Sequence, residues 1–219
     1  MSFAPKLSAL PKTQRAVWGE LKQLPKRFVL YGGTALALRL GHRQSEDFDF
    51  FADAPVNPDE LPRTVPLLKG ATVRQKEPNT LTVAIHRPEP VKLSFFGLSL
   101  HRVGEPEWTE DEIARVATLW DIAGCKMATI QSRSEAKDYL DIAALLSHGI
   151  PIEEMLASAQ VIYGLQFFPI ISLKALSVFD DGDLPGLPEK VKSTLRNAAG
   201  GVREIPEFKP LPGGISPAT

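Results

Sequence analysis

Two aspartates one residue apart, Asp47 and Asp49, follow closely on the pair Gly32 and Gly33 in the stretch Phe-Val-Leu-Tyr-Gly-Gly-Thr-Ala-Leu-Ala-Leu-Arg-Leu-Gly-His-Arg-Gln-Ser-Glu-Asp-Phe-Asp-Phe-Phe. On a strand, successive side chains alternate faces, so both carboxylates project to one side while Phe48 and Phe50 turn to the other, toward a core. Like charges that close push each other toward the neutral form unless a cation intervenes. A divalent metal is the natural occupant. Hard carboxylate oxygens suit Mg²⁺, which keeps several waters and usually completes its shell with substrate phosphates. The turn Gly32-Gly33-Thr34 opens a helix whose first N–H groups have no helical partner and favour an anion. Metal and phosphate would then meet at one site.

The plainer reading is two solvated carboxylates on a half-exposed strand, after a tight turn that needs positive φ. Asp is depleted in strands, and two on one face are costly without a partner, which favours the metal site. The turn lacks the Gly-Lys-Ser/Thr ending of a Walker A loop, so a P-loop fold is not supported. Arg43 and Ser45 lie between turn and acids. Arg43 could simply neutralise the pair or could hold phosphate oxygens with its planar fork.

The elements that must position these groups follow from short, Gly-bounded apolar runs: a strand at 28–31, a helix at 34–40 and a strand at 47–51. An amphipathic helix is expected at 12–24, and a short, proline-broken helix after Asn57. Further strands are expected at 73–75, 81–85 and 91–96. From residue 111 the period becomes helical, with helices at 118–131, 135–147, 151–163, around 169–179 and at 187–198. The expected fold class is α/β (α+β): a small mixed sheet flanked by helices (1–117), a helical C-terminal part (118–199), and an extended or disordered Pro/Gly-rich tail (200–219).

At 219 residues, 43% apolar and 23% charged, the chain can bury a substantial core and is not expected to be disordered. A net charge of −1 gives no global drive toward nucleic acid or membrane. The single Cys125 excludes an internal disulfide and suits a reducing compartment. On its helix it reads as a small buried residue, not a nucleophile. With no signal-like N-terminus and no run long enough to span a bilayer, a soluble cytoplasmic protein is expected. His42, His86, His101 and His148 show no zinc-ligand spacing. Lys190, Lys192, Arg196, Arg203 and Lys209 read as a solvated face diluted by Glu189, Glu204 and Glu207, with an RNA-guiding strip as the alternative.

The chain resembles the nucleotidyltransferase-like toxins of the AbiEii type, within the polymerase-beta-like nucleotidyltransferase superfamily. Gly32, Gly33 and Thr34 match the family's Gly-Gly/Ser turn, and Arg43, Ser45, Asp47 and Asp49 match its Arg-x-Ser-x-Asp-x-Asp strand. A second block offers Lys126, Arg133, Lys137, Asp138 and Asp141 where the family carries a lysine helix and then a basic-Asp-x-x-Asp helix. The resemblance implies a nucleotidyltransferase-like core and Mg²⁺-dependent transfer of a nucleoside monophosphate from a nucleoside triphosphate to a hydroxyl of tRNA or protein. It also implies the role of toxin in a toxin–antitoxin or phage-defence pair, with a cognate antitoxin.

By that analogy Asp47 and Asp49 hold the metal, and Gly32, Gly33 and Thr34 cradle phosphates with Arg43 and Ser45 beside them. Lys126, otherwise read as a solvated lysine on the polar side of its helix, reaches the phosphates. Asp138 completes the acidic cluster or acts as base. Asp141 is assigned mainly to structure, through an i, i+4 pair with Lys137. Many superfamily members carry a third carboxylate on a later strand, where this chain has Ser94, with Lys92 on the same face. That departure keeps open a degenerate nucleotide- or partner-binding protein and, less favoured, a metal-dependent phosphohydrolase.

Overall fold

The computed structural model describes residues 2–216. Its elements in chain order are β1 (Ser2–Phe3), α1 (Lys12–Trp18), β2 (Val29–Tyr31), α2 (Gly32–Leu40), β3 (Phe48–Ala52), α3 (Leu61–Thr64), β4 (Thr72–Glu77), β5 (Thr80–His86), β6 (Pro90–Gly97), β7 (Glu107–Thr109) and β8 (Arg115–Val116). The helices α4 (Leu119–Thr129), α5 (Ala136–Ser147), α6 (Ile152–Tyr163), α7 (Pro169–Ala175) and α8 (Glu189–Gly201) follow. The chain divides into two compact units. One holds the residues up to Leu100, Gly104–Thr118 and the segment from Leu211; the other holds His101–Val103 and Leu119–Pro210.

The first unit is built on one mixed sheet of eight strands in the order β1-β7-β8-β2-β3-β6-β5-β4. β3 runs antiparallel to β2 and parallel to β6, which places it near the middle. Its side chains alternate as expected. Phe48 and Phe50 are buried, while Asp49 and Phe51 on the other face are partly exposed. The buried face packs aromatic on aromatic: Phe50 stacks on Phe95 at 5.5 Å, Phe28 meets Phe95 edge-on at 5.1 Å, and Trp18 lies 6.4 Å from Phe48. This packing fixes the strand's register, since a slip of one residue would send the phenylalanines to the acid face.

The sheet is larger than the sequence implied, because β1, β7 and β8 span only two or three residues each and carry no readable alternation. The tail also differs. Residues 202–216 contain no helix or strand, as expected, yet the part after Leu211 is built into the first unit. Ile215 is fully buried, its carbonyl accepts a hydrogen bond from the Tyr31 hydroxyl at 3.0 Å, and Ser216 donates to the Arg27 carbonyl. The last three residues of the expected tail lie outside the described residues. In the second unit, α4 packs on α6 at Gly124, where any Cβ would meet the Ala159 nitrogen at 2.9 Å. No helix among the described residues is long and apolar enough to cross a membrane.

Candidate active site

The acid site in the first unit starts at the turn from β2 into α2. Gly32 has φ +72, a conformation that L side chains avoid, and a Cβ there would lie 2.9 Å from Asp49 Oδ2. At Gly33 a Cβ would lie 2.6 Å from Arg43 Nη2 and 3.1 Å from Ser45 Oγ. The two glycines thus leave room for Asp49, Arg43 and Ser45 to reach the start of α2. No side chain caps that helix. Thr34 is buried at 1% exposure; its hydroxyl donates to the Asp47 carbonyl and accepts from Ser45 Oγ at 2.9 Å. Thr34 and Ser45 therefore tie the loop before β3 to the turn, and only the Thr34 backbone is left to face a ligand.

Across the sheet, Asp49 sits between Tyr31 on β2 and Ser94 on β6, and Ser94 is followed by Thr82 on β5. The position beside Asp49 on β6 is thus held by Ser94, buried at 2% exposure. Asp47, one residue before β3, is 3.0 Å from Lys92 Nζ through Oδ2, and both side chains are substantially exposed. Sequence reasoning placed Lys92 on this face but missed the direct pairing with Asp47, and it missed Tyr31 and Thr82 altogether. The oxygen groups gathered here are the carboxylates of Asp47 and Asp49 and the hydroxyl side chains of Ser94 and Thr82. Among the described residues no group of three or more His, Cys, Asp or Glu is arranged to hold a metal ion. Two carboxylates would leave most of a divalent ion's shell to water and phosphate, a division that suits a hard ion such as Mg²⁺.

Gly32→Ala is expected to cost roughly 1–2 kcal/mol for the left-handed backbone alone and to push Asp49 out of place. Thermal melts with nucleotide titrations check this, and binding should fall more than stability. A variant that melts earlier yet binds as wild type would show that Asp49 does not need this turn.

The second unit carries the other predicted residues. Lys126 on α4 is not on a solvated face; it is buried at 5% exposure, with its ammonium 2.8 Å from Asp138 and 2.5 Å from Asp141. The spacing of three on α5 turns both carboxylates toward the same cation. Asp141 therefore pairs with Lys126, not with Lys137, which lies 2.7 Å from Glu135. Arg133 clamps Asp138 through Nε at 2.8 Å and Nη2 at 3.1 Å. Burial pushes the Asp138 carboxyl up, but Arg133 and Lys126 outweigh it and hold the group below the usual carboxylate range. Cys125 next to Lys126 is buried, and desolvation pushes its thiol up to about 12, so it is inert at neutral pH. On α8, Arg196 pairs with Glu189 at 3.0 Å and Lys192 donates to the Pro185 carbonyl at 2.8 Å, local contacts that fit a solvated face.

A mixed sheet with one acid on a central strand and a second just before it, beside a glycine turn that opens a helix, fits the frame of a nucleotidyltransferase. A family model described as the nucleotidyl transferase AbiEii toxin of type IV toxin–antitoxin systems matches residues 17–185, and the chain belongs to that family. It is 32% identical over 157 residues to an uncharacterized protein of Aquifex aeolicus, covering 70% of this chain and 74% of that one. Among solved structures it is similar to MenT4, a nucleotidyltransferase toxin of Mycobacterium tuberculosis H37Rv. That match has a TM-score of 0.59 and 17% identity over 87% of this chain and 82% of the other, a likeness of fold.

Proposed function

We propose that this nucleotidyltransferase moves a nucleoside monophosphate from a nucleoside triphosphate to a hydroxyl of RNA, with tRNA as the favoured acceptor and a protein hydroxyl as the other. It would act as the toxin of a pair whose antitoxin restrains it. The observation that carries the reading is the placement of Asp49 against the glycine turn, with Asp47 just ahead of β3 and paired to Lys92 of β6. A single buried cysteine fits work in the cytoplasm.

Asp47 and Asp49 are the residues that would hold Mg²⁺, which when bound neutralises the triphosphate and charge on the departing pyrophosphate. The backbone N–H groups of Gly32, Gly33 and Thr34 at the start of α2 would take phosphate oxygens, and Arg43 lies beside them. The acceptor hydroxyl gives its proton to water as its oxygen forms a bond to the α-phosphorus, the bond from that phosphorus to the bridging oxygen breaks, and pyrophosphate leaves with the electron pair. Catalysis here is mainly positioning and charge neutralisation. Lys126 and Asp138 belong to one buried charge cluster. The strong engagement of Asp138 by Arg133 and Lys126 makes it a poor base and favours a positioning role.

Ser94 in place of an acid supports one second reading, a nucleotide-binding protein that has lost its chemistry. Incubation with labelled nucleoside triphosphates, Mg²⁺, total RNA and cell lysate separates the cases. Label on RNA is the expected result. Label on protein moves the acceptor, free phosphate would indicate hydrolysis, and nucleotide binding without turnover would favour the second reading.

A further inference from the structure

The row of the sheet through Asp49 reads Tyr31, Asp49, Ser94 and Thr82, one acid among three neutral hydroxyls. The neighbouring position on β6 is Lys92, opposite Ala84 on β5 and 3.0 Å from Asp47. Two divalent ions held together need carboxylates that bridge and balance both. Here Asp47 and Asp49 stand against Lys92, with Arg43 beside Gly33 at the start of α2 and no acid at position 94. An exposed ion pair such as Asp47 with Lys92 adds little to fold stability, so stability does not account for an ammonium set against this carboxylate. Its consequence is electrostatic. One oxygen of Asp47 is already spent on a cation that the strand itself delivers, and a second divalent ion would have to enter beside that fixed positive charge.

Building on the nucleotidyltransferase site described above, we propose that Lys92 is a resident counter-cation of Asp47 that takes the electrostatic place of a second metal, so that the site holds one divalent ion. Lys92 acts through Asp47 and is a positioning residue.

The test is titration of the full chain with Mn²⁺, followed by electron paramagnetic resonance, both alone and with a non-hydrolysable nucleoside triphosphate analogue. Wild type is expected to bind one Mn²⁺ per chain in the presence of the analogue. Lys92→Met should bind Mn²⁺ about tenfold more tightly, since a positive charge a few ångströms from the ion is removed. Lys92→Arg, which keeps the charge, should stay close to wild type. Lys92→Met combined with Ser94→Asp should take up a second ion with the analogue. Two ions per wild-type chain, equal Mn²⁺ affinity in wild type and Lys92→Met, or no Mn²⁺ binding by either protein would overturn the inference. The arm without nucleotide keeps the two claims apart: a wild type that binds Mn²⁺ but not the analogue counts against the transfer reaction, while the Lys92 comparison still decides this one.

Discussion

Asp49→Asn is expected to reduce nucleotidyl transfer by about two to three orders of magnitude, the scale on which loss of one preorganised charge-stabilising group acts. Asp49 reaches the glycine turn, where its Oδ2 fills space that a Cβ at Gly32 would claim, and it sits between Tyr31 and Ser94 with no neighbouring acid on β6 to replace it. Asn keeps the shape and removes the charge, so folding should be unaffected. Asp47→Asn should cost less, because Asp47 already shares its charge with Lys92. Single-turnover transfer assays, with circular dichroism to confirm folding, give the ranking. If Asp47→Asn proved the more damaging of the two, the smaller share given to Asp47 on account of Lys92 would be wrong.

The second large effect is on stability. Lys126→Met leaves Asp138 and Asp141, both fully buried, facing an apolar side chain in place of an ammonium. Breaking a buried ion pair from one side costs about 3–5 kcal/mol, a large share of the roughly 5–15 kcal/mol that holds a typical domain together. Urea unfolding at neutral pH should show the midpoint falling accordingly. The pH dependence has a definite sign. Asp138 has its folded pKa depressed, so its contribution to wild-type stability is present above the unfolded value of about 4 and is lost as pH falls through the folded value. In Lys126→Met, Asp138 keeps Arg133 but loses one of the two cations that hold its pKa down, so it accepts a proton more readily and the gap to wild type should narrow as pH falls toward 4. A gap that stays constant over that range would mean that the loss comes from packing alone.

How far the sequence carried the account depends on where each residue's partner lies along the chain. The alternation of Asp47, Phe48, Asp49 and Phe50 is local, and the period of two showed which faces the side chains take before any partner strand was known. The glycine turn is local too, and its positive φ is a property of Gly32 itself. Ser94 was expected beside the acids from the family resemblance; the apolar alternation of Val91, Leu93 and Phe95 gives its face, while the register that sets it against Asp49 is a tertiary pairing that no local pattern fixes. The plainer reading of Lys126, a solvated lysine on the polar side of its helix, fails because nothing near it in sequence announces that the two carboxylates of α5 pack against it and make burial tolerable. For the same reason Lys137 looked like the partner of Asp141. A spacing of four is visible in the sequence, whereas the contact between α4 and α5 is tertiary. The closing segment was opaque in the same way: Pro and Gly show only that no helix continues, not that Ile215 will be buried or that Tyr31 will bond to its carbonyl.

The central claim is that the nucleoside triphosphate binds at the turn of α2 through a divalent ion held by Asp47 and Asp49. Calorimetric titration of a non-hydrolysable triphosphate into wild type and Asp49→Asn, each with and without Mg²⁺, tests it most directly. The account predicts affinity that rises with Mg²⁺ in wild type and an Asp49→Asn variant that loses both the affinity and its dependence on Mg²⁺. Equal binding by the two proteins in saturating Mg²⁺ would contradict it.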